Sequence, residues 1–180
     1  MAHLVINNCR VSYANLTQPK DNLSGKPKYS CVILVPKTDT AMKAAMDNAF
    51  EQAKREGIAK KWGGKVPPGL MNPVRDGDGT KPRGGEYGPE CKGMWVLNAA
   101  SNPDHKPRVV DAYLQDILDP TEIYSGMICN VAVDFYAFAA PGNSGISVGL
   151  GNVQKIADAE PFSGGARSIE SDFTAADPFA

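Results

Sequence analysis

The chain has 180 residues, 42% of them hydrophobic, with 18 glycines and 14 prolines. That fits one ordinary domain rich in turns plus an appendage, and it points away from a helical bundle. The formal net charge is −1, yet residues 1–65 carry eleven Lys/Arg against five acids, while residues 157–180 carry five acids against Arg167 alone. A basic body joined to an acidic end suggests a polyanion-binding surface and a segment able to compete for it.

In chain order, His3 to Tyr13 reads as a strand with a change of phase. Leu4 and Ile6 form one apolar set, and Cys9, Val11 and Tyr13 form the next, so a bulge or bend is predicted at Asn7-Asn8. A bent first strand shared between two halves of a small barrel is an OB-fold habit. Residues 14–27 read as a polar loop and Tyr29 to Val35 as a central, almost wholly apolar strand. Thr38 or Asp39 can cap a helix running to about Glu56, with Met42, Met46, Ala49, Phe50 and Ala53 on one face and Gly57 as its stop.

Residues 57–92 hold nine glycines and five prolines without sustained periodicity. A loop of that length inside a compact domain is usually functional or disordered. Strand character returns over Gly93 to Ser101 and Arg108 to Tyr113. It is clearest at Met127, Cys129, Val131, Val133 and Phe135, which alternate with polar residues. Pro141 to Gly145 reads as a turn, with Ile146, Val148 and Leu150 on the partner strand. After Ile156 the apolar pattern is lost and a disordered tail is expected. The sum is a mainly β fold: an OB-type barrel of five strands with one helix after the second over residues 1–156, a long Gly/Pro-rich loop insertion, and an acidic tail over 157–180.

No run approaches the ~18 apolar residues of a membrane span. Residues 1–10 lack the basic start, apolar centre and cleavage site of a secretory signal, so a cytoplasmic location is expected. Cys9, Cys31, Cys91 and Cys129 form no Cys-x-x-Cys pair and read as reduced core thiols. His3 and His105 have no metal-ligand spacing, and no nucleophile elbow, Walker loop or dinucleotide fingerprint occurs. No catalytic residue, metal or cofactor is therefore expected. An alternative, a metal-dependent nuclease, rests on Asp76, Asp78 and Glu86 clustered in a basic loop. However, Lys81 stands where a calcium loop starting at Asp76 needs glycine. A second alternative is a virion structural or adaptor protein whose glycine-rich loop serves assembly.

Holding a single strand requires cations along the backbone and exposed aromatic faces for the bases. Lys60, Lys61, Trp62 and Lys65 combine both inside the long loop, as do Lys26, Lys28 and Tyr29 at a strand entrance and Arg75, Lys81, Arg83 and Tyr87 further along. Trp95 and Tyr113, in strand-like segments, are further candidates for base contact. About five phosphate contacts would give a slope near −3.5 for log affinity against log salt.

The end of the chain mixes acids with isolated phenylalanines. Asp172, Phe173, Asp177 and Phe179 suit a peptide that inserts rings into partner pockets while its acids meet basic rims. Asp177-Pro178-Phe179 resembles the acidic Pro-Phe tail of bacterial single-stranded DNA-binding proteins, departing from it in Ala180 and in a lower acid density.

Further motifs run through the body of the chain: Lys61-Trp62, Arg75-Asp76-Gly77-Asp78, Gly88-Pro89-Glu90, Lys92-Gly93 and Trp95-Val96-Leu97-Asn98-Ala99. Later come Tyr124-Ser125-Gly126, the strand to Phe135-Tyr136, Asn143-Ser144-Gly145-Ile146, and Gly149-Leu150 with Asn152-Val153-Gln154-Lys155. In this order the chain resembles a family of tailed-phage single-stranded DNA-binding proteins with an OB-fold. The resemblance implies protection of single-stranded DNA during phage replication or recombination in the host cytoplasm, without sequence preference, enzymatic activity or cofactor. Replication or recombination proteins would meet the tail, and a homodimer is compatible with the reading.

Overall fold

Period-2 alternation along the chain produces long antiparallel strands that share one interior. A computed structural model describes residues 2–21 and 25–162. The elements are β1 (Ala2–Asp21), β2 (Pro27–Pro36), α1 (Thr40–Lys60), β3 (Arg75–Asp76), β4 (Met94–Ser101), β5 (Val109–Val110), β6 (Ile128–Ala140) and β7 (Asn143–Ala157). The sheet order is β3-β4-β2-β1-β6-β7-β5, and a parallel contact between Ala100 of β4 and Gly149 of β7 closes it. Five strands (β1, β2, β4, β7 and β6) thus form the closed barrel of an OB-fold, as expected.

The interior takes apolar residues of the barrel strands: Ile6, Val11, Ile33, Leu97, Val131 and Phe135 are fully buried. All four cysteines are free and buried, and burial holds the Cys31 thiol well above its usual value. Helix α1 packs on β1 and β6, burying Met46, Ala49 and Ala53. Asp39 caps it as expected, accepting the Met42 amide at 3.1 Å.

Four expectations need correction. The helix does not stop at Gly57 but continues to Lys60. Gly57 is there for a close approach, since a Cβ would lie 2.7 Å from both the Trp62 ring and the Ala137 methyl. β1 does not end at Tyr13: it runs through the predicted loop to Asp21 and makes a long arm with β2. The predicted break at Asn7-Asn8 is present as a register shift between Ile6 and Cys9, but a second shift between Ser12 and Asn15 was not foreseen. It turns Tyr13 outward, 68% exposed at φ +48°, instead of inward with Cys9 and Val11. The strand expected over Arg108–Tyr113 is only Val109–Val110, because Asp111 accepts the Tyr113 and Gln115 amides and turns the chain.

The chain after Ile156 does not leave the barrel at once. Asp158 accepts the Tyr124 hydroxyl at 2.8 Å and pairs with the buried Lys155 at 2.7 Å. Arg10 donates to the Glu160 carbonyl at 2.7 Å and lies 4.2 Å over the Phe162 ring, and the Phe162 amide donates to the Ser125 carbonyl. Residues 158–162 therefore form a strap on the barrel. Asp172, Phe173, Asp177 and Phe179 lie outside the described residues.

Candidate nucleic-acid interface

Across the outer face of the barrel the register aligns side chains in rows perpendicular to the strands. Ser12, Val32 and Asn98 are direct partners across β1, β2 and β4. The adjacent row runs Arg10, Leu34, Val96 and Arg75 across β1, β2, β4 and β3. The 75–91 segment rises over this second row, where Cys91 packs on Leu34 and Val96. Between floor and wall lies a groove of about 790 Å³, lined among others by Ser12, Tyr13, Val32, Arg75, Lys81, Arg83, Tyr87 and Asn98. A smaller hollow of about 220 Å³ continues it over Ile146 to Val148 of β7. The groove thus crosses the strands of the barrel, on the face OB-folds use for oligomeric ligands.

The wall is ordered rather than loose. Thr80 and Glu86 bridge as a small hairpin, the Gly84 amide donates to the Lys81 carbonyl, and Lys81 lies 5.8 Å from the centre of the Tyr87 ring. At its base the Lys37 ammonium bonds both the Asp76 and Asp78 carboxylates. Those bonds, Asp76 before Asp78, raise the Lys37 ammonium above its usual range. The same bonds to Lys37 hold both carboxyls below theirs.

Four residues singled out in the sequence, Arg75, Lys81, Arg83 and Tyr87, meet in this groove. Lys28 shares the outward side of β2 with Val32 and Leu34, four residues or ~13 Å along the strand from Val32. Lys26 is exposed just beyond it. The other candidates are elsewhere. Tyr29 has inward parity and is 7% exposed, so its ring offers no face to a base. Trp95 also points to the inner side, opposite Val96 and Asn98, with the Lys37 and Lys43 ammoniums 4.9 and 4.6 Å from its ring. Trp62 packs on Gly57 and donates its indole N–H to the Phe138 carbonyl at 3.0 Å. Lys60, Lys61 and Lys65, its neighbours in sequence at the end of α1 and just beyond, are exposed and do not line the groove. Tyr113 is 85% exposed on the turn after β5, the strand that pairs with β7.

Sequence reasoning missed Tyr13, Ser12 and Asn98. Alternation would have placed Asn98 on the outer face, being polar between Leu97 and Ala99. Tyr13 depends on a bulge that no residue pattern announces. The nuclease triad is not assembled either. Asp76 and Asp78 share Lys37 while Glu86 lines the groove, and no group of three or more His, Cys, Asp or Glu among the described residues is placed to hold a metal.

A family model described as Enterobacter phage Enc34, ssDNA-binding protein, matches residues 2–179. The chain belongs to this family. The single-stranded DNA-binding protein of bacteriophage Enc34, solved in complex with ssDNA, is 31% identical to it, with a TM-score of 0.74 over 90% of each chain. The same phage protein solved on its own is 30% identical, with a TM-score of 0.73 over 95% of this chain and 89% of that one. The gp2.5 single-stranded DNA-binding protein of bacteriophage T7 is 15% identical, with a TM-score of 0.59 over 97% of this chain and 98% of that one, and so shares the fold. No curated protein matches the chain. Among the described residues, no helix of this family member is long and apolar enough to cross a membrane.

Proposed function

We propose that this protein binds and protects single-stranded DNA during phage DNA replication or recombination, as a non-enzymatic, sequence-tolerant binder. The observation that carries the reading is the groove across β1, β2 and β4. It places three cations (Arg75, Lys81 and Arg83) beside two rings (Tyr13 and Tyr87) on the ligand face of an OB barrel. Membership in the family and the ssDNA complex of its Enc34 relative support the same ligand. The cations track phosphates and the rings offer stacking faces, which every base can use, so no sequence preference is expected. Residues 1–162 form the binding unit and 163–180 an acidic appendage for regulation or partner binding. A binding rather than nucleolytic role is favoured because Asp76 and Asp78, the acids a nuclease would need, are both committed to Lys37.

Fluorescence titration with oligo-dT at several salt concentrations tests this. Three groove cations predict a slope of about −2 for log affinity against log salt, and recruitment of Lys26 and Lys28 brings it to about −3.5. Binding independent of salt, or a preference for duplex over single strands, overturns the proposal.

A further inference from the structure

The groove wall between Gly79 and Cys91 carries Lys81, Arg83 and Tyr87, and rests on the barrel through Tyr87 and Cys91, which pack with Leu34 and Val96, and through its base. That base has an unusual construction. One carboxylate, Asp78, holds both ends of the excursion. Its Oδ2 accepts from Lys37 Nζ at 2.8 Å, before the wall begins, and its Oδ1 accepts the Gly93 amide at 3.0 Å, after the wall ends. Asp76 accepts from the same ammonium and also from the Asp78 amide at 2.9 Å, which fixes the turn between the two acids. Lys37 is itself placed by Trp95 beneath it and by its own amide, which donates to the Gly93 carbonyl at 2.9 Å. The approach is so close that a Cβ on Gly77 would fall 2.0 Å from the Cys91 carbonyl oxygen.

We propose that the Lys37–Asp76–Asp78 clasp is a positioning device for single-strand binding: it closes the base of the 79–91 wall and so projects Lys81 and Arg83 over the groove floor. The proposal rests on the groove being the DNA site. It makes a prediction opposite to simple electrostatics. Asp76 and Asp78 are negative charges near a polyanion site, so by Coulomb's law their removal should tighten DNA binding. As clasp members, their removal should loosen it, since two cations lose their fixed positions.

The experiment compares the full chain with Asp78→Asn, Asp76→Asn/Asp78→Asn, the conservative Asp78→Glu, and Lys81→Ala/Arg83→Ala. Each is titrated with oligo-dT across salt and checked by thermal melting. Asp78→Asn should weaken binding roughly three- to thirtyfold, in the range of other indirect couplings. Release of Lys81 and Arg83 should flatten the salt slope by about 1.4. Asp78→Glu, which keeps a charged acceptor, should retain most of both. Asp78 is 45% exposed on its side chain, so the fold should survive the substitution; should Asp78→Asn melt early, titration well below its melting midpoint carries the test. Unchanged or tighter binding by both neutralised variants, alongside weakened Lys81→Ala/Arg83→Ala, overturns the clasp and leaves the groove standing. Unchanged binding by Lys81→Ala/Arg83→Ala removes the groove reading itself, and the clasp's role with it.

Discussion

Tyr13 offers a test in which stability and affinity respond to different physics. The residue sits at φ +48° with its ring 68% exposed over the groove. A non-glycine residue held in left-handed conformation costs ~1–2 kcal/mol, and such strain persists where something else requires it. Two substitutions separate the terms. Tyr13→Ala removes the ring and keeps the strain. Tyr13→Gly removes both, but gives back about 0.4–1 kcal/mol of chain entropy in the unfolded state. Glycine should therefore exceed alanine here by about 1 kcal/mol, reversing the usual order, and melt ~2–4 °C higher in a chain of this size. Both variants lose the same stacking face, worth ~1–3 kcal/mol, so their oligo-dT affinities should fall together by roughly 5- to 150-fold. Anisotropy titration and thermal melting of the three proteins decide the matter. Parental affinity in either variant would show that Tyr13 is no platform for a base. An alanine variant as stable as the glycine one would show that the backbone strain is absent.

Gly57→Ala should destabilise the fold by about 1–3 kcal/mol despite better helix propensity, because its methyl collides with the Trp62 ring and Ala137; shifted tryptophan emission and a lower melting point check it. Truncation after Phe162 removes Glu170, Asp172 and Asp177 with Arg167, a net −2. It should tighten oligo-dT binding about two- to tenfold at low salt and have little effect at high salt. Asp158 is held below the ordinary carboxylate range by its bond to Lys155 and then by the Tyr124 hydroxyl. Its contribution to the strap is thus present above its unfolded value and is lost only as pH falls through the lower folded one. The hydrogen-exchange protection factor of the Ala159 amide, which donates to the Tyr124 hydroxyl at 2.9 Å, should hold from neutral pH to about pH 5. Tyr124→Phe should lower it already at neutral pH by removing bonds worth about 0.5–1.5 kcal/mol each.

The barrel was legible because period-2 patterns report burial directly. Met127, Cys129, Val131, Val133 and Phe135 all lie where alternation puts them. Half of the groove was legible too, since Arg75, Lys81, Arg83 and Tyr87 stand out as cations and a ring within one loop. The rest depends on relations between distant segments. Trp62 among lysines has the composition of a base platform, yet its indole N–H meets the Phe138 carbonyl and its ring fills the space Gly57 leaves. Tyr29 looked like a ring at a strand entrance, but one residue of parity separates it from the outward Lys28. Composition counts the charges and rings; parity and register decide which of them face one another.

The same distinction explains how a chain of net charge −1 can present a cationic groove. Many of its acids are spent on the protein's own cations: Asp76 and Asp78 on Lys37, Asp47 on Lys43, Asp116 on Arg108, and Glu122 and Asp158 on Lys155. Those pairs fix the base of the wall, the helix entry, the turn after β5 and the root of the strap. Arg75, Lys81 and Arg83 line the groove in the company of Glu86 and Glu90, an excess of one positive charge. So small an excess cannot draw a polyanion strongly by net charge alone. On the proposed reading, affinity comes from cations placed within reach of successive phosphates and rings placed against bases. That is why the geometry of the wall, and the carboxylates that set it, should matter to binding more than the charge they remove.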